Sequence, residues 1–272
     1  MDTTLTLFNK CAKNQLGFTL SRKVPLSFVK KLTYDVIEGL DFLKQELDTT
    51  HRDIKPSNLL ITEKNCTIKI CDFGICGNLS NDKQTQGIGT YCYMSPERHS
   101  LKQQEEYDDR ADVWSFGITL AETLIGEFPY GNELKKNQIS FTSHIVQFPS
   151  PQFSNDPETK LYKWFDFYDA ENDDSWRWCF DFLNKCLIKR FKKDDDLNEA
   201  IRPNYATLKT LPFWRSIDPE NLVDDELEEF FTEVFEKIRQ PAEDKRRNSE
   251  SKSLTESNTC VDQKFITVKS KN

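Results

Sequence analysis

With 272 residues the chain is long enough for one large domain with its own core or for two small ones, and 37% hydrophobic residues, including 20 Phe and 5 Trp, exclude global disorder. Its 37 basic and 45 acidic residues leave a net charge of −8, which excludes general nucleic-acid binding but not a small phosphate ligand held in a locally basic or metal-bridged site. Eight cysteines with no CxxC pair and three histidines give no zinc-ligand spacing, so the thiols are expected to be reduced and mostly buried. The chain opens abruptly at Met1-Asp2-Thr3-Thr4-Leu5, with Leu7-Phe8 following and no polar leader. Residues 25–46 predict a long helix: Pro25 suits its first turn, and Phe28, Leu32, Val36, Leu40 and Leu43 recur at helical spacing. Over 51–74, the apolar runs Leu59-Leu60-Ile61 and Thr67-Ile68-Lys69-Ile70 flank Glu63-Lys64-Asn65 and predict a strand pair joined by a turn. Residues 75–95 are polar and aperiodic, hence loop.

Residues 112–126 are apolar nearly all round, with Val113, Trp114, Phe116, Ile118, Leu120, Ala121, Leu124 and Ile125, so a helix here is expected to be buried. The aromatic and acidic stretch 150–176 reads as an insertion or irregular connection; 176–189 and 203–211 read as helical. Asp218-Pro219 is a cap and first-turn signal. The helix expected to follow carries Leu227, Phe230, Phe231, Val234, Phe235 and Ile238 on one face, for docking on the main body. From Pro241 onward Ser, Lys, Arg, Glu and Asn dominate, and a disordered tail is expected. No run of 18 apolar residues and no signal-peptide pattern occurs, so the expectation is a soluble protein of the cytoplasm or nucleus, with neither nucleic acid nor membrane as partner.

The chemistry-bearing residues are concentrated in four segments. His51-Arg52-Asp53-Ile54-Lys55-Pro56-Ser57-Asn58-Leu59-Leu60 comes first, and Asp72-Phe73-Gly74 follows 19 residues after Asp53. Then come Gly89-Thr90-Tyr91-Cys92-Tyr93-Met94-Ser95-Pro96-Glu97 and Asp112-Val113-Trp114-Ser115-Phe116-Gly117. Either of the first two triplets alone would be weak; four segments in this order and spacing are not accidental. Together they resemble the protein-kinase signature set, from residue 1 to about residue 216. Gly89-Thr90 with Tyr93-Met94-Ser95-Pro96-Glu97-Arg98, Asn184-Lys185-Cys186-Leu187-Ile188-Lys189 and the opening Met1-Asp2-Thr3-Thr4-Leu5 are similar to the MAP kinase kinase type.

That resemblance implies a mainly α fold, the large C-terminal lobe of a kinase, with a small β-ribbon at the catalytic loop. It implies ATP and Mg2+ as cofactors. Asp53 would orient the acceptor hydroxyl and take its proton, Lys55 would reach the transferred phosphate, and Thr90 would bond near both. Asn58 and Asp72 would hold magnesium, a cation that prefers oxygen ligands, and Leu60 would lie under the adenine. Glu97 and Arg202 would form a buried ion pair, Asp112 would bond the backbone of the His51-Arg52 turn, and His51 would be structural. In the loop, the two phosphorylated serines of the MAP kinase kinase type fall at Asp82 and Gln86, which suggests weakened dependence on an upstream kinase, with Ser80 or Thr85 as substitutes.

A Gly-rich loop, a strand lysine and its helix glutamate are not found before His51. The chain therefore reads as beginning at the hinge between lobes, with little or no activity expected of it alone. The expected division is 1–216 as a truncated kinase domain, 217–240 as a docking helix and 241–272 as a tail. The partners implied are a MAP kinase substrate and an upstream MAP kinase kinase kinase or scaffold. The competing reading is a half-kinase without catalysis that serves as a binding module in the same pathway.

Overall fold

The computed structural model describes residues 4–6, 24–62, 65–73, 90–99, 108–154, 174–189 and 200–236. Helix α1, Leu26–Leu47, follows Pro25, whose φ of −70° suits the cap and whose carbonyl accepts the first bond, from Val29. Its buried face holds Phe28, Val29, Leu32, Val36, Ile37, Leu40 and Leu43, the expected stripe and its neighbours. Strands β2, Leu59–Thr62, and β3, Thr67–Ile70, pair antiparallel in the register Leu59↔Ile70 to Thr62↔Thr67. A further strand, β1 at Thr4–Thr6, adds to β2 and gives the order β1-β2-β3. The sequence reading assigned no strand there, because three residues are too few to show alternation.

After a 3-10 turn at Thr90–Tyr93 and the short α2, Pro96–His99, comes α3 at Arg110–Ile125. Every side chain of α3 from Ala111 to Ile125 is buried. It stops at Gly126, whose φ of 76° is the left-handed conformation that glycine adopts at no steric cost. Thr119 and Thr123 each donate to the carbonyl four residues back, while the Ser115 hydroxyl lies 2.8 Å from the Tyr93 carbonyl and 3.1 Å from that of Ala111. Helices α4, Asn132–Lys135, and α5, Gln138–Gln147, lead on to α6, Asp174–Cys186. Helix α6 packs on α3 closely enough that a Cβ on Gly117 would come within 2.9 Å of Cys186 Cβ and Leu187 Cδ2.

The single helix expected over 203–211 is instead two one-turn helices, α7 at Tyr205–Leu208 and α8 at Pro212–Arg215. Pro212 cannot continue a helix from α7 and starts a new turn. The Asp218-Pro219 signal caps only a 3-10 turn, Pro219–Asn221, through Glu220 N–H. The longer helical segment 225–236 starts at Asp224, whose carboxylate accepts from Leu227 N–H at 2.8 Å. Leu227, Phe230, Phe231, Val234 and Phe235 are buried, with the Phe230 ring 5.0 Å from Phe28 of α1. Ile238 and the tail from Pro241 lie outside the described residues, as does most of the stretch 150–176. One hydrophobic core runs from α1 through α3 and α6 to Phe235. No described helix is long and apolar enough to cross a membrane, and the described cysteines, 66, 71, 92, 179 and 186, are free thiols.

Candidate active site

The site is assembled where the β-ribbon ends. Strand β2 begins directly after the 3-10 turn Pro56–Asn58, and β3 ends two residues before Asp72. The pairing Leu59↔Ile70 therefore brings Asn58 and Cys71-Asp72 together, and Cys71 N–H donates to the Asn58 carbonyl at 2.9 Å.

Asp53 is buried in the loop before that turn. Its Oδ2 takes the Lys55 ammonium at 2.6 Å and Asn58 Nδ2 at 3.0 Å, and Asn58 Nδ2 also donates to the Asp53 carbonyl at 2.8 Å. Its Oδ1 accepts no hydrogen bond among the described residues. A buried carboxylate oxygen without a donor is costly unless something else approaches it. Because both amide protons of Asn58 go to Asp53, the Asn58 Oδ1 is turned the other way as an oxygen acceptor.

His51 ties the loop to the Asp72 segment. Its Nδ1 accepts from Asp53 N–H at 3.3 Å, so the ring proton is assigned to Nε2, which lies 3.1 Å from the Cys71 carbonyl. Asp112, at the start of α3, accepts from His51 N–H and Arg52 N–H, both at 2.7 Å. Burial pushes its carboxyl up, while the His51 ring and those two N–H donors favour the charged form.

Arg52 and Asp72 both have left-handed backbones, at φ 69° and 66°. Aspartate tolerates that region, but for arginine it stores about 1–3 kcal/mol of strain. The neighbours that hold it are Asp112 on its N–H and Arg98 Nη1 on its carbonyl at 2.6 Å. Arg98 was legible only as a member of a motif; its bond to a carbonyl 46 residues away has no sequence signal.

Behind the site, Glu97 of α2 and Arg202 form a fully buried bidentate pair at 2.7 and 3.1 Å. Arg202 also donates to the carbonyls of Ile188, Arg110 and Lys189, and its guanidinium lies 5.1 Å from the Trp114 ring. Tyr93, Glu122 and Lys135 form a second network, with Tyr93 O–H donating to Glu122 at 2.6 Å and Lys135 bonded to both.

Of the expected site residues, Asp53, Lys55 and Asn58 are joined directly, and Asp72, exposed, directly follows Cys71, whose N–H is bonded to the Asn58 carbonyl. Leu60 alternates away from the buried Leu59 and Ile61, on the half-exposed face of the ribbon opposite Lys69. Thr90 opens the 3-10 turn, but its side chain, like Ser80, Asp82, Thr85 and Gln86, lies outside the described residues. No group of three or more His, Cys, Asp or Glu side chains among the described residues could hold a metal. The available donors fit magnesium, which commonly takes one or two protein oxygens and completes its shell with water and phosphate.

The family model described as "Protein kinase domain" matches residues 2–206. The dual specificity mitogen-activated protein kinase kinase sek-1 of Caenorhabditis elegans is 36% identical over 214 residues, covering 78% of this chain and 54% of that protein. MAP kinase kinase mkk-4 of the same organism is 35% identical over 188 residues, 69% of this chain and 45% of that one. Human dual specificity mitogen-activated protein kinase kinase 7 is 40% identical over 131 residues, 47% and 31% of the two chains. The chain thus spans about half or less of the length of these curated relatives.

Proposed function

The chain belongs to the protein kinase family, and from that premise we propose that it acts as a MAP-kinase-kinase-type enzyme, transferring the γ-phosphate of ATP to Ser/Thr and Tyr of a MAP kinase. The observation that carries the proposal is Asp53: a buried carboxylate with Oδ2 gripped by Lys55 and Asn58 and Oδ1 without a donor among the described residues. An acceptor hydroxyl that donates to Oδ1 is aimed by a group that cannot swing away. As its oxygen bonds to the γ-phosphorus, the bond to the β,γ-bridging oxygen breaks, the electron pair leaves with ADP, and the hydroxyl proton passes late to Asp53.

Lys55 stands beside Asp53 as a point charge able to reach the moving phosphoryl group. Asn58 Oδ1 and the Asp72 carboxylate are the oxygens that would hold Mg2+, which when bound offsets the phosphate charge. Leu60 would offer an apolar surface under the adenine, and Thr90 would bond near Asp53 and Lys55. The names of the relatives, dual specificity mitogen-activated protein kinase kinase and MAP kinase kinase, support a MAP kinase as substrate; an upstream MAP kinase kinase kinase or scaffold is the further partner this reading proposes.

The test is transfer of labelled γ-phosphate from MgATP to a panel of purified MAP kinases by the full-length protein, wild type beside Asp53→Asn. Transfer by the wild type, lost on the order of 10²–10⁴-fold in the variant, is the expected result. Equal rates for the two proteins, or no transfer together with no MgATP-dependent rise in melting temperature, would overturn it; the second outcome leaves a binding module in its place.

A further inference from the structure

Among the described residues strand β3 pairs with β2 on one side, and its other edge meets a side chain rather than a strand. The group that does this is a carboxylate from the middle of α1: Asp35 Oδ2 accepts from Ile68 N–H at 2.8 Å. Asp35 Oδ1 takes the Lys31 ammonium at 2.9 Å, and both side chains are largely buried, 11% and 12% exposed. One turn further along α1, Gly39 lies so close to β3 that an added Cβ would be 3.1 Å from Ile70 Cδ1.

The two contacts keep step. Four residues of helix advance about 6 Å and two residues of strand about 6.6 Å, so Asp35 and Gly39 meet Ile68 and Ile70 in turn. Two residues beyond Ile70 the chain turns through the left-handed Asp72. Among the described residues, the hydrogen bonds of Cys71, from its N–H and Sγ to the Asn58 carbonyl and from His51 to its carbonyl, come from the catalytic loop itself. Asp35 is a side chain from outside that loop that ties α1 to the strand leading into Asp72.

We propose that Asp35, which touches neither substrate nor cofactor, is a positioning residue that sets β3 on α1 and thereby the place of the Asp72 carboxylate as a magnesium ligand. This rests on the kinase reading above. Removing the acceptor lets the edge of β3 lift from α1 and loosens Asp72, whereas an amide oxygen at the same position keeps the bond to Ile68.

The experiment uses the full-length protein as wild type, Asp35→Ala and Asp35→Asn, with two readouts. The first is amide hydrogen exchange over 68–72 without nucleotide or metal. The second is the free Mg2+ concentration giving half-maximal phosphotransfer at fixed ATP, with the KM for protein substrate measured alongside. Asp35→Ala is expected to raise exchange at Ile68 and Cys71 and to raise the Mg2+ requirement about 10-fold, the scale of losing an outer partner of a metal ligand. The KM for protein substrate should not move; in Asp35→Asn the amide oxygen can still accept from Ile68 N–H while its NH2 faces the Lys31 ammonium, so this variant should melt lower yet keep near-wild-type exchange at Ile68 and Mg2+ dependence. An Asp35→Ala protein that melts lower yet keeps wild-type Mg2+ dependence would overturn this inference alone. A wild type with no Mg2+-dependent activity would overturn the kinase reading and this inference with it.

Discussion

Helix α3 and the catalytic loop are both buried, and they use burial in opposite ways. In α3 fifteen consecutive residues, Ala111 to Ile125, are covered, and the hydroxyls of Thr119 and Thr123 close on their own helix. In the loop, Asp53 is covered while one of its oxygens keeps no donor, and Arg52 is held in a strained backbone by partners 46 and 60 residues away. The helix is dominated by apolar packing. The loop leaves a catalytic-loop carboxylate oxygen open and depends on long-range ties, as expected of a region where strain and unmatched polarity serve chemistry.

The sharpest separation of the two regions is Asp53→Asn. It should lower phosphotransfer on the order of 10²–10⁴-fold while leaving the melting temperature within a few degrees, because the lost charge had only partial compensation. A large drop in melting temperature would put Asp53 among the structural residues. Behind the loop the balance reverses. Glu97→Ala leaves Arg202 as a buried cation without its carboxylate and should cost about 3–5 kcal/mol in urea unfolding. A cost below about 1 kcal/mol would mean that the three carbonyls around Arg202 suffice.

His99 of α2 extends the comparison to pH. It is mostly buried, its Nδ1 is 3.1 Å from Thr142 Oγ1, and burial pushes its ring down to about 4. The folded protein therefore binds this proton less readily than the unfolded chain, whose histidine titrates near 6.5. The resulting stability is fully present above pH 6.5 and is lost as pH falls from 6.5 toward 4, about 3 kcal/mol in all. Urea midpoints at pH 7 and pH 5 should differ less for His99→Gln than for the wild type; equal differences would remove His99 as the cause.

The smallest effects come from two glycines. Gly117→Ala forces a Cβ against Cys186 and Leu187 at 2.9 Å in the packed interior and should destabilise by about 1–2 kcal/mol despite the better helix propensity. In Gly39→Ala the contact is with the tip of Ile70, which is only partly buried. That tip can give way, so the change should be neutral or stabilising by up to about 1 kcal/mol. The two unfolding midpoints are expected on opposite sides of the wild type or with Gly39→Ala at it.

Much of this was legible beforehand. Phe28, Leu32, Val36 and Leu40 announced α1 by period, and the all-round apolar run announced a buried α3, since both signals are local. The motif residues located the loop, and the structure places Asp53, Lys55 and Asn58 in direct contact. What stayed hidden depends on partners distant in sequence. Strand β1 exists because β2 offers an edge, and Asp218-Pro219 looked like the start of a long helix although Asp224 caps it. Asp35 left one trace: it lies seven residues after Phe28 and three after Leu32, on the apolar side of α1, where a charge needs a buried partner.

The central claim is that Asn58 and Asp72 present their oxygens to one divalent ion next to Asp53. It is tested most directly by titrating the full-length protein with Mn2+ in the presence of ADP, following free Mn2+ by its electron paramagnetic resonance signal. The account predicts one tight nucleotide-dependent site in the wild type, weakened at least about 10-fold in both Asp72→Asn and Asn58→Ala. Tight binding that is unchanged in those two variants would contradict it.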